Sequence, residues 1–310
     1  MIIYVFTAIF KRRLTYCIMI LLSILLCDTS VTASELNGAG KALSCRSLRS
    51  MARAYMAGGA YSKAQQYAEE AMNMAVVRSV SDKELSLCMG DLSYLYLKQG
   101  LLDKAEDKSK MSLKLQEKVY QSDHPYRAHS LRNLCSIYLQ QGRIEAALKT
   151  IGSALAIISQ YHGPDDRVIA PFYVDLAKVL AGMEQTELAE KYFNKAFEIT
   201  RGHYGDDNLN TAKVMLAMAE FYTGNEKYEL AEPLSRKSQA IHERVFGRDN
   251  HRVTSAWLMM ARVYQAKGQC LDAESLVCRA MSSVEKTGDV TSVIRLAKQV
   301  AEIRSLALKN

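Results

Sequence analysis

Proline and tryptophan are scarce in this chain of 310 residues, with four Pro and one Trp, and no low-complexity stretch breaks it. Nothing therefore reads as a long linker between separate domains. The longest candidate for a membrane segment, the apolar run from Leu14 to Cys27, has 14 residues. A spanning helix needs ~20. Catalytic signatures are missing as well. No HExxH, GxSxG, P-loop or dinucleotide fingerprint occurs, and no Cys/His spacing suits a metal. The expectation is a protein without catalysis, cofactor or metal. The formal charge of +7 is mildly basic and falls short of a nucleic-acid binder's signature.

Cysteine is present, but in an unhelpful number. Beyond the N-terminal segment five remain: Cys45, Cys88, Cys135, Cys270 and Cys278. An odd count without close pairs is a poor disulfide framework. Cys270 and Cys278 lie too far apart along one helix for a direct bridge.

The first 33 residues read as a secretory signal peptide. Lys11, Arg12 and Arg13 precede the run Leu14 to Cys27, and Val31-Thr32-Ala33 offers a small-residue cleavage site. Met1 to Phe10 is itself mostly apolar, so an uncleaved N-terminal membrane anchor is the alternative. Residues 34–44 form a short linker. The protein is expected to be exported, periplasmic or secreted, and to meet a membrane only through the leader if it is retained.

What the chain has in abundance is self-similarity. The stretch Asp91 to Ala105 returns at a step of 42 residues. Tyr96 recurs as Tyr138, Leu180, Tyr222 and Tyr264, and Ala105 as Ala147, Ala189, Ala231 and Ala273. Leu92 recurs as Leu134, Leu176, Met218 and Met260, followed always by a small residue: Ser93, Cys135, Ala177, Ala219, Ala261. An earlier copy ends at Ala64. A period of this size marks stacked supersecondary units. Within each unit the apolar residues fall at helical spacing on two faces split by a polar turn, which predicts a helix hairpin. Small slots let two helix backbones approach, and only the next unit covers the apolar residues left outside.

Gly100, Gly142 and Gly268 suit the left-handed stop between the two helices. Glu184 and Glu226 replace that glycine in two units, so their turns are expected to close differently. Between units, Asp123, Asp165, Asp207 and Asp249 each precede an apolar-periodic run, and helix N-capping is the expected role. A calcium site at Asp165-Asp166 or Asp206-Asp207 lacks the alternating oxygen ligands of a calcium loop.

The Leu-small-x-x-Tyr, Gly and Ala positions, with the stretch SDHPYRAHSLRNLCSIYLQQGRIEAALKTIGSALAI, resemble the tetratricopeptide repeat, most closely the 42-residue variety of kinesin light chains. The resemblance covers residues 45–281 and implies an all-α, right-handed superhelical solenoid of about six hairpins. Residues 282–310 then read as a C-terminal capping helix, from the amphipathic series Val293, Ile294, Leu296, Ala297, Val300, Ile303 and Leu306.

In that family the first helix of each hairpin lines the concave side. Carried over by position, the resemblance puts Arg46, Arg49, Arg53, Tyr94, Lys98, His129, Arg132, Asn133, Ser136, Asp175, Lys178, Lys213, Glu220 and Arg262 in the groove. Bases outnumber acids there, so a protein or peptide carrying carboxylates is the expected partner, and nucleic acid is not. The function expected is a protein-interaction scaffold. An anchored accessory factor, or a sensor of a small anion, is the alternative; a small anion would need a closed pocket, whereas a regular array offers an open trough.

Overall fold

The 42-residue register becomes twelve α-helices in a computed structural model that describes residues 44–120, 124–289, 293–294 and 296–301. They pair as six antiparallel hairpins: α1 (Cys45–Ala57) with α2 (Tyr61–Val77), α3 (Asp82–Gln99) with α4 (Leu102–Val119), α5 (Pro125–Gln140) with α6 (Ile144–Tyr161), α7 (Ala170–Gly182) with α8 (Thr186–Tyr204), α9 (Leu209–Gly224) with α10 (Tyr228–Phe246), and α11 (Thr254–Ala266) with α12 (Cys270–Glu285). A 3-10 turn, His251–Val253, precedes α11. No strand occurs among the described residues. The fold is an all-helical repeat array. The leader and almost all of the linker lie outside the described residues.

The repeated slots form the seam within each hairpin. The alanine slot, Ala64, Ala105, Ala147, Ala189, Ala231 and Ala273, is buried throughout, as is the small slot from Ser93 to Ala261. No side chain keeps the two backbones apart there. Tyr96, Tyr138, Leu180 and Tyr222 fill the space beside the seam. Tyr96 and Tyr222 donate their hydroxyls to Glu69 and Glu190 of the preceding unit's second helix. The second and fifth units are thus tied to their predecessors by packing and by a hydrogen bond on the rim.

The turn inside every hairpin closes in one way. Gly100 donates to Leu97 O and Leu101 to Tyr96 O; the same two bonds recur from Gly59, Gly142, Glu184, Glu226 and Gly268 and their successors. Glu184 and Glu226 adopt φ of 60° and 58°, the left-handed region taken elsewhere by glycine. The expectation of a different closure is corrected: the two closing bonds impose one backbone shape whatever the side chain. The capping assignment also shifts by one residue. His124 and Asn208 cap α5 and α9, and Asn250 caps the 3-10 turn, each accepting from the N–H two residues on. Asp166 makes the same bond to Val168 in the turn before α7, whose own N-terminus has no side-chain cap. Asp165, Asp207 and Asp249 stand one residue too early, and Asp123 lies outside the described residues.

Successive first helices (α1, α3, α5, α7, α9, α11) touch one another, whereas successive second helices do not among the described residues. The array therefore curves with its first helices on the inside. At the C-terminal end, Leu296 and Val300 join Trp257, Val277 and Val284 in one buried cluster.

Candidate functional site

One position of each inner helix forms a row along the curve: Arg53, Tyr94, Ser136, Lys178, Glu220 and Arg262. Its last three members are linked. Glu220 receives Lys178 at 3.4 Å and Arg262 at 3.6 Å. Beside that row lie two deeper pairs. Asp91 accepts from Arg49 at 2.7 Å and from Arg53 at 2.8 Å, and Arg132 meets Asp175 at 3.2 Å. Burial pushes the Asp175 carboxyl up, against the pull of Arg132, Lys178 and Lys98. The inner face is accordingly an ion-pair ladder with an excess of cations. Arg49 and Arg132 serve first as counter-ions of the ladder.

Three cavities open on this face. The first, about 540 Å³, lies between the first three inner helices and gathers Arg53, Tyr94, Lys98, His129 and Asn133. Leu87 and Gly90 also line it. Gly90 stands where the other units carry Arg49, Arg132, Val174, Leu216 and Leu258, so the missing side chain makes the room. Gln116, almost wholly buried, donates to Ser130 at 2.9 Å and leaves its carbonyl oxygen unpaired in this cavity's wall. The second, about 520 Å³, gathers Lys98, Lys178, Lys213, Arg252 and Arg262 around Glu220. Met56, Ala57, Tyr61 and Lys98 line both cavities, so the two adjoin. A third, about 510 Å³, holds Arg46, Arg49, Arg53 and Lys83. Of the side chains placed in the groove by sequence, Arg132, Ser136 and Asp175 line none of these. Ser136 donates back to Arg132 O within its own helix.

The second cavity is bordered by a contact that the repeat pattern does not encode. The turn of the first hairpin meets the last one. The Tyr61 and Ser62 N–H groups donate to Asp289 at 3.1 and 3.2 Å, and the Ser62 hydroxyl donates to it too. His251 lies so close to Gly59 that a Cβ there would stand 2.6 Å from its ring. None of the six second helices has a side-chain cap of its own. Asp289 caps α2 from 227 residues away. The inner face is therefore bridged, and the open trough expected from a regular array is corrected. Sequence reasoning missed His251, Arg252 and Asp289, which occupy no recurring slot, and Gln116, whose slot is filled elsewhere by Ala75, Ile158, Thr200, His242 and Val284. Gly90 alone carried a signal, as a glycine in a slot that is otherwise large.

Among the described residues no cluster of three or more potential metal ligands occurs, and no helix is long and apolar enough to cross a membrane.

The sequence profile of the MalT-like TPR region matches residues 41–297. This chain belongs to the MalT-like TPR family. Among solved structures, this TPR chain is similar to NprR in complex with its cognate peptide NprX (TM-score 0.63, 15% identity, covering 84% of this chain and 74% of that one). A Rap protein complexed with Competence and Sporulation Factor is similar at a TM-score of 0.60 and 14% identity, covering 86% and 76%. BtubC (BKLC) from P. vanneervenii gives 0.51 and 21%, covering 78% and 92%. At such identities the likeness is one of fold. No curated protein matches the chain.

Proposed function

We propose that this TPR protein is a non-catalytic scaffold whose bridged inner face holds a short acidic segment of a partner protein. The supporting observation is the second cavity, where Lys98, Lys178, Lys213, Arg252 and Arg262 surround the single carboxylate of Glu220. A surplus of cations on a concave surface raises the local concentration of anions and steers them inward. The adjoining cavity over Gly90 has room for an apolar side chain of the same segment. NprR, solved with its cognate peptide, supports a peptide as the class of ligand for this architecture.

The bridge favours a second reading, a sensor of a small multivalent anion, because it closes one side of the trough where such a ligand would sit. Fluorescein-labelled hexaglutamate separates the two when titrated into the full chain, with hexalysine as control and citrate as competitor. Saturable, salt-sensitive binding of hexaglutamate alone supports the peptide reading. Binding of citrate but not hexaglutamate supports the small anion, and binding of neither overturns both.

We further infer export, from the Lys11–Arg13 cluster, the run to Cys27 and the Ala33 cleavage site. A mature N-terminus at Ser34 is the expected mass. Retention of Leu14 to Cys27 would replace export with anchoring.

A further inference from the structure

Cys45 opens α1 and Cys88 lies within α3, 43 residues on, yet their sulfurs stand 3.4 Å apart. Both are buried. Both also point at one acceptor in α2, the Ala71 carbonyl, at 3.5 and 4.0 Å. Three helices of two repeats thus meet at the two thiols.

The period shows that packing does not require sulfur here. The equivalent pairs at the following interfaces are Ser86 with Ser130, Ala128 with Phe172, Ala170 with Val214, and Ala212 with Ala256. Cysteine occupies both slots only at the first interface. Among the described residues α1 touches only α2 and α3.

We propose that Cys45 and Cys88 form a disulfide that staples α1 to α3. A bond of about 2.05 Å requires the sulfurs to close by roughly 1.4 Å, a movement within reach of side-chain rotation. The oxidant is a small disulfide such as oxidised glutathione. The Cys45 thiolate attacks it, giving a mixed disulfide and releasing one glutathione thiolate. The Cys88 thiolate then attacks the Cys45 sulfur and expels the second glutathione. Two protein thiols lose two electrons and two protons in all, and one glutathione disulfide becomes two thiols. Burial holds the Cys88 thiol up at about 12, so exchange proceeds while α1 is undocked, during folding or brief opening of this end helix.

The test uses the full chain in two parallel samples. One is held native with excess oxidised glutathione; the other is unfolded and refolded in a glutathione redox buffer. Free thiols are then alkylated and the protein is digested and mapped by mass spectrometry. A cross-linked peptide containing Cys45 and Cys88, lighter by two hydrogens, from either sample supports the staple. In the stapled protein Tm should rise by about 5 °C or more relative to the reduced form. That rise should vanish in the Cys45→Ser, Cys88→Ser double variant. Full alkylation of both cysteines in both samples overturns the proposal. So does their pairing with Cys135, Cys270, Cys278 or glutathione in place of each other.

Discussion

Asp289 accepts a hydrogen bond from the backbone of Ser62, joining the last turn of the array to the first hairpin. A buried carboxylate at a helix N-terminus satisfies free N–H groups and complements the helix dipole. Asp289→Ala should cost about 1–2 kcal/mol. It should also speed amide exchange in residues 59–65 and in the 3-10 turn at 251–253, while the middle hairpins stay protected. Hydrogen-exchange mass spectrometry checks this. Unchanged exchange at both ends would show that the bridge contributes nothing.

The ladder pairs differ in burial, and so in worth. Arg49 and Asp91 are buried, whereas Lys178 is partly and Glu220 more fully in water. Asp91→Ala leaves a guanidinium buried without its counter-charge and should cost roughly 3 kcal/mol or more. Glu220→Ala should cost less than about 1 kcal/mol. Thermal melting of the two variants gives the order, and equal losses would contradict it. Charge reversal at Arg49 consequently tests folding before it tests binding.

Glu184 and Glu226 hold left-handed backbone in turns whose equivalents carry glycine. A side chain there strains the backbone by an amount of order 1 kcal/mol. Glu184→Gly and Glu226→Gly should each raise stability by about 0.5–1 kcal/mol, measurable as a higher melting temperature. A decrease would mean that the glutamates make compensating contacts.

Acid should weaken the fold in two stages. Burial lowers the pKa of His242, its bond to the Ser238 carbonyl opposes this, and Lys213 adds to the lowering. His251 is lowered too, first by burial and then by Arg252. The unfolded chain then binds more protons than the folded one below about pH 6.5, so stability present above that pH is lost as pH falls through it. At Glu106 burial raises the pKa, but bonds from Lys110, Gln141 and Arg143 prevail and hold it at about 2. Its contribution is present above the ordinary carboxylate range and is lost as pH falls toward about 2. Melting temperatures from pH 7.5 downward should decline in both windows, and His242→Gln should flatten only the upper one.

Residues that repeat were legible in the sequence, and residues that act once were not. Ala105, Tyr96 and the small slot announce themselves because each interface needs the same shapes. The family resemblance could therefore draw the inner row from Arg53 to Arg262. Asp289 and His251 work through contacts across the curve, and no local pattern records how far the array bends. Gln116 bonds to Ser130 of the next hairpin from a slot that each unit fills differently. The ion pairing of Arg49 and Arg132 was hidden for a similar reason. Their partners lie 42 and 43 residues away, and a count of charges does not say which will meet. Cys45 and Cys88 looked unrelated until a single period was seen to bring them together.

The inner face as an anion receptor is tested most directly by reversing charge at cavity cations whose ion pairs are the least buried. Lys178 and Lys213 lie on the cavity wall, Lys213 exposed and Lys178 partly so. Hexaglutamate affinity of the Lys178→Glu, Lys213→Glu variant, measured by calorimetry beside the unaltered chain, is the decisive quantity. The expected result is a loss of at least tenfold at low salt, with the variant still folded and its helix content unchanged. Equal affinity in the two proteins would contradict an anion-binding inner face.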